Sequence, residues 1–178
     1  MAPPLQRPRH RSRPHRTRPH PADRVRQRRR HRPALDPQQH QAQGVLHCRQ
    51  GFIHALAIDP DTPDGPLLAT AGDNTLRLWN LHDHTPRSDD LQGHTDIVEA
   101  LAAWTTPQPT PRSYVASAAR DGTIRIWDTA TSRCILLLAT GTRVRTLTAH
   151  PRTDRPAALM TIAGEAGALV VELQLDRL

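Results

Sequence analysis

The sequence contains no lysine, so all of its 24 basic Lys/Arg positions are arginine. It is also poor in aromatics, with three Trp, one Tyr and one Phe, and only 37% of its residues are hydrophobic. Over 178 residues that is lean for one large core, although the length allows one or two domains. Long apolar runs are missing too. The longest, Ile135 to Ala139, is far below the roughly 20 residues that cross a bilayer, which excludes a membrane-spanning helix. The two cysteines, Cys48 and Cys134, form no CxxC pair, so neither a zinc site nor a disulfide framework is predicted, and two free thiols suit a reducing cytosol. Residues 31–44 supply no apolar core after the basic stretch, and Arg28-Arg29-Arg30 is not followed by one. Neither a secretory leader nor a twin-arginine signal is therefore expected, and the reading is cytoplasmic with no membrane partner.

What is present is unevenly placed. Residues 1–44 hold 12 arginines, 8 prolines and 5 histidines against Asp23 and Asp36 alone, a formal charge of +10, and the remainder is −3. This segment has almost no apolar side chains beyond Leu5, Val25 and Leu35 and cannot offset the entropy of ordering, so it reads as a disordered Arg/Pro-rich tail. Arginines at that density can neutralise phosphates, which raises association with nucleic acid or an anionic surface. No aromatic is interleaved to stack on bases, so that reading stays the weaker one. The leading reading is a solvated tail, or an upstream stretch translated from a mis-assigned start in GC-rich DNA, and the missing lysine fits a high-GC genome.

The rest of the chain is organised around residues 93–128. Gly93-His94 precedes an apolar segment of strand length with Ile97, Val98 and Leu101 to Ala103. Pro107, Pro109 and Pro111 cannot donate to a ladder, so residues 105–112 are a loop. A strand is predicted over Ser113 to Ala118, then a hairpin turn at Asp121-Gly122, then a strand over Thr123 to Trp127 in which β-branched residues alternate with arginine.

With its Gly-His opening and its Trp127-Asp128 close, this unit resembles the WD-repeat β-propeller family, here of bacterial type, whose blades repeat every 40 to 45 residues or so. The resemblance implies a buried chain of hydrogen bonds through Trp127, Ser117, His94 and Asp121, ordered from a pure donor to a pure acceptor. His, Ser and Asp in one unit are also the types of a hydrolytic triad, but no strand-turn-helix elbow surrounds Ser117, and no catalytic residue is assigned. An earlier copy of the unit has strands over Ile53 to Ile58, Leu67 to Ala71 and Thr75 to Trp79. There the resemblance implies Thr70, Asp73 and Trp79 for the same network, with Arg49 where the histidine should be. A later copy has strands from Val144, Leu159 to Ala163 and Leu169 to Leu173, and aligned positions read Thr140, Ile162, Ala166 and Glu172, which removes the network altogether.

The fold expected is therefore all-β: a partial WD-repeat β-propeller of about three blades, near residues 45–92, 93–139 and 140–178, behind the disordered tail of residues 1–44. Cys134 to Leu138 suits the outer strand of the second blade, and Leu81 to Gln92 reads as a polar connection. Neither the Asp59 to Gly65 turn nor His82-Asp83-His84 has the spacing of a metal site, so no metal and no cofactor is expected. Closed propellers have four blades or more, so three imply part of a longer propeller or open edges that a protein partner or a second copy covers. The function implied is a non-catalytic scaffold for protein partners, with nucleic-acid association through the tail as the alternative.

Overall fold

The structure is a computed structural model that describes residues 45–107 and 110–175. The chain divides into two units, Met1–Gln43 and Gly44–Leu178. The first, with the expected disordered basic tail, lies outside the described residues.

The second unit is built of antiparallel sheets. In the first blade β1 (Ile53–Asp59), β2 (Leu67–Gly72), β3 (Thr75–Asn80) and β4 (Thr85–Pro86) pair in chain order. The second blade repeats this order with β5 (Val98–Thr105), β6 (Ser113–Ala119), β7 (Thr123–Asp128) and β8 (Arg133–Ala139). In the third, β9 (Val144–Pro151), β10 (Ala157–Gly164) and β11 (Gly167–Gln174) form a sheet of three strands, with β9 and β11 at its edges. The one strand that sequence reading left out is β4. It is two residues long and ends on a proline, which carries no apolar alternation, and Leu91 extends the blade edge by a bridge to Leu76.

The core explains the lean composition. It is two thin interfaces between blades rather than one large interior. One unites Leu67, Ala69, Leu76 and Leu78 of the first blade with Val98, Leu101, Val115 and Trp127 of the second. The other unites Ala100, Ala116, Ile124 and Ile126 of the second blade with Val144, Leu147, Met160 and Ile162 of the third. Successive residues of a strand point to opposite faces, so β6, inside the second blade and packed on both sides, must be apolar or small at every position. Every residue of β6, SYVASAA, is buried. Its alanines let neighbouring sheets approach closely, and so few aromatics are needed.

Polar links join the blades at their ends. The amide of Val98 donates to the carbonyl of Asp73 at 2.7 Å, Asn74 Nδ2 donates to the carbonyl of His94 at 3.2 Å, and the Thr140 amide donates to the carbonyl of Gly122 at 2.8 Å. At the opposite end Thr105 Oγ1 donates to the buried Asp59 at 2.7 Å. Glu99 of the second blade is paired with Arg120 and with Arg143, which leads into the third. Hydrogen bonds from Arg143 and then Arg120 hold the Glu99 carboxyl at about 2, well below the usual range, against the upward push of its burial.

Candidate functional site

The second blade brings His94, Ser117, Asp121 and Trp127 into one hydrogen-bonded chain. Trp127 Nε1 donates to Ser117 Oγ at 2.9 Å, Ser117 Oγ lies 2.8 Å from His94 Nε2, and His94 Nδ1 lies 2.9 Å from Asp121 Oδ2. An indole only donates and a carboxylate only accepts, so the order of the proton donors is fixed: Ser117 donates to Nε2, and the neutral imidazole carries its proton on Nδ1. Asp121 has further donors in the Thr95 and Thr123 amides at 3.0 and 2.9 Å and in the Thr123 hydroxyl at 2.7 Å. Burial lowers the pKa of His94 and outweighs the nearby carboxylate that would raise it. Burial pushes the Asp121 carboxyl up, but the hydrogen bonds from Thr123, His94 and Thr95 outweigh it, so the acid is held below its ordinary range. Gly93 serves the same corner. Its φ is +152°, and a Cβ there would lie 2.8 Å from the Arg125 guanidinium, which reaches over to donate to the Gly93 carbonyl at 2.9 Å.

These distances would suit a Ser-His-Asp hydrolase. The surroundings do not. Ser117 is 0% exposed and His94 3%, and the indole of Trp127 sits on the serine oxygen. A nucleophile needs room for a carbonyl carbon, and this one has an indole in that place.

In the first blade the structure joins Trp79 and Thr70, with Trp79 Nε1 donating to Thr70 Oγ1 at 3.0 Å, but the next member is Gln50 rather than Arg49. Thr70 donates to Gln50 Oε1 at 2.5 Å, and Gln50 Nε2 donates to the Thr75 carbonyl at 3.3 Å. Gln50 is 6% exposed, whereas Arg49 points to solvent at a left-handed φ of 51°. The connection from this position to the first strand is one residue shorter than in the second blade, and counting back from the strand therefore lands on the wrong residue. Gly72 makes room for the approach, since a Cβ there would fall 2.3 Å from the Gln50 carbonyl oxygen. Asp73 is not brought in. It occupies the exposed, left-handed corner of a two-residue turn at φ 49°, and its carboxylate makes no hydrogen bond among the described residues. An amide has no second ring nitrogen to pass a proton on to it.

In the third blade the pairing moves two positions by one residue. Ile162 faces Leu147 as Ser117 faces Leu101, but Met160 pairs with Val171, as Val115 pairs with Trp127, so Val171 and not Glu172 stands in the tryptophan's place. The hairpin closes over Glu165 and Ala166, which puts Glu165 where Asp73 stands in the first blade. Glu172 faces the other way and pairs with Arg155 at 2.5 Å.

Among the described residues no group of three or more His, Cys, Asp or Glu is placed to hold a metal ion, and no helix is long and apolar enough to cross a membrane. Cys48 and Cys134 are free thiols. The His82-Asp83-His84 segment lies on an exposed turn, and the Asp59 to Gly65 turn is closed by the Gly65 amide on the Thr62 carbonyl at 3.0 Å.

Several large apolar side chains are exposed. On the first blade Phe52 is 82% exposed and Leu56 and Ile58 each 60%; on the third, Leu169 and Val170 are 57% and 59% exposed along the uncovered β11. Residues 45–49 form no strand against either edge.

Compared with known families, the chain matches the profile described as WD domain, G-beta repeat over residues 41–80 and again over 86–128. Its first two blades are WD repeats. Its partial propeller is similar to THO complex subunit 3 of Arabidopsis thaliana, at 36% identity over 50% of this chain and 29% of that protein. It is similar as well to the protein transport protein SEC13 of Chaetomium thermophilum, at 44% identity over 43% of this chain and 26% of that protein. THO complex subunit 6 of Arabidopsis thaliana matches at 26% identity over 48% of this chain and 21% of that protein. The chain thus spans less than a third of the length of these WD-repeat relatives. All of them are eukaryotic, so the bacterial type attached to the resemblance has no support among them.

Proposed function

We propose that this chain is a non-catalytic interaction scaffold, a set of WD blades that forms part of a larger propeller and binds protein through the free outer faces of its first and third blades. The observation that carries this reading is the exposed apolar surface of Phe52, Leu56 and Ile58 on the first blade, with Val170 exposed on the outer face of the third. Surfaces of that kind, on sheets with uncovered edges, are poor to leave in water. Matched relatives named as complex subunits and as a transport protein agree with a role in assemblies. In this reading His94, Ser117, Asp121 and Trp127, with Thr70 and Trp79 in the first blade, are structural residues that hold hairpins in place, and the protein acts in the cytoplasm.

Size-exclusion chromatography with light scattering tests the reading. The full chain at micromolar concentration is expected as a dimer or larger assembly, and Leu56→Arg with Ile58→Arg is expected to shift it toward monomer. A compact, cooperative monomer of the unaltered chain would refute it. The basic segment of residues 1–44, with its formal charge of +10, supports a second reading in which the tail binds nucleic acid or another anionic surface. Retention on heparin that disappears when residues 1–44 are removed is the expected signature of that role; equal retention would exclude it.

A further inference from the structure

We propose that the cleft between the second and third blades is a binding site for a neutral aromatic molecule the size of an indole. The cleft encloses about 510 Å³, and its walls are Ile124 and Leu138 of the second blade and Thr140, Ile162, Leu169 and Val171 of the third. A volume of that order, mostly apolar and with few polar groups, is what small-molecule sites offer.

The cleft occupies the place that a hydrogen-bonded network fills one blade earlier. Ile162 holds the position of Ser117, Val171 that of Trp127 and Leu169 that of Arg125, as the strand pairings show. Thr140 lies four residues before Val144 just as His94 lies four before Val98, and both valines pair with the ends of their middle strands. Between the first and second blades the equivalent wall is Leu76 and Leu91, which are 0% and 4% exposed because the rings of the second blade press against that side. Their counterparts in the next interface are Ile124 and Leu138, and Leu138 remains only partly buried. Replacing an indole and an imidazole by an isopropyl group and a hydroxyl removes two ring systems, and the strands have not closed over the space. A void with apolar walls holds water poorly and accepts apolar guests.

The polar groups present define the chemistry of the guest. Thr140 Oγ1 lies 2.7 Å from the Gly122 carbonyl and 2.8 Å from the Thr142 carbonyl, so its proton is engaged and its lone pairs are left to accept an N–H. Arg143, at the rim, is already paired with Glu99 and offers little to an anion. A flat ring with one N–H donor and no charge matches, as the indoles of Trp79 and Trp127 do on Thr70 and Ser117 in the sister blades.

The test is titration of the full chain with indole, followed by amide chemical shifts in ¹⁵N-labelled protein. Saturable shifts are expected at Ile124, Leu138, Ile162 and Val171, with a Kd on the order of 1 mM or tighter. Val171→Trp restores the ring that the sister blades carry and should weaken binding at least ten-fold. Should that variant not fold, Leu169→Arg decides, since the residue is exposed and the change copies Arg125 of the second blade; it too should weaken indole at least ten-fold. Tryptamine and indole-3-acetate, with one charge each, should bind more weakly than indole. Shifts confined to other parts of the protein, or indole affinity unchanged in the folded variants, would overturn the site.

Discussion

Trp104 and Trp127 differ by one hydrogen bond rather than by burial. Trp104 is 3% exposed and stacks on Tyr114 at 5.7 Å between ring centroids, so truncating either tryptophan to alanine removes a large buried side chain. Only the indole N–H separates them. Trp127 donates to Ser117, whereas Trp104 Nε1 is buried without a partner among the described residues. Trp127→Phe should therefore cost about 1 to 3 kcal/mol, because it leaves a buried hydroxyl short of a donor, and Trp104→Phe should cost less than about 1 kcal/mol or stabilise. Denaturant unfolding of the two variants decides this, and equal losses would sink it. His94 gives the chain a dependence on pH. Its folded pKa lies below the ordinary 6.5, so below that value the unfolded chain binds a proton that the folded chain refuses. Its contribution is present above about pH 6.5 and is lost as pH falls through the depressed folded value. His94→Gln copies Gln50, which accepts from Thr70 and does not titrate. The fall in melting temperature between pH 7.5 and 5 should be smaller in the variant than in the unaltered chain, and an identical slope would show that His94 is not the group responsible.

Strands differ in protection because they differ in what lies on their two faces. β6 has a neighbouring strand on each side and a blade against each face, and all of its residues are buried. β11 has one neighbouring strand, and six of its eight residues, Gly167 to Val170, Glu172 and Gln174, are exposed. β1 carries Leu56 and Ile58 outward and packs Ala55 and Ala57 inward, with Asp59 buried at its end. Amide hydrogen exchange should be slowest in β6 and at least ten-fold faster in β11 and in the outward half of β1. Uniform protection across the three would mean that the outer blades are covered in solution, which itself would locate a partner or a second copy. At this scale the sequence was most legible where alternation and turn chemistry agreed: Asp121-Gly122 between Ser113 to Ala118 and Thr123 to Trp127 places β6 and β7 to within a residue. It was least legible where no side chain marks the pairing. A two-residue turn at Glu165-Ala166 looks the same in the chain as a three-residue one, and because side chains alternate, the one-residue difference exchanges Glu172 for Val171 at the blade interface.

For the whole molecule the central fact is that the three blades are not equivalent. The second is covered on both faces and keeps the full chain of four polar side chains, the first keeps a shortened chain ending at Gln50, and the third keeps none and leaves a cleft. A partly satisfied buried network costs more than its apolar replacement, so the members are lost together rather than singly. The amino-acid order alone determined the all-β class, the three repeats and the strands of the second blade, while the network in that blade was implied by the family resemblance. These follow from local rules, in which periodicity, turn residues and the Gly-His and Trp-Asp pairs are each read over a few positions. Only the tertiary structure decided that Gln50 rather than Arg49 meets Thr70, that Asp73 stays outside, and that Val171 stands in the tryptophan's place and opens the space beside it. Those outcomes depend on which residue faces which across strands and between blades, and pairing register is a property of two segments at once that neither segment carries in its own sequence.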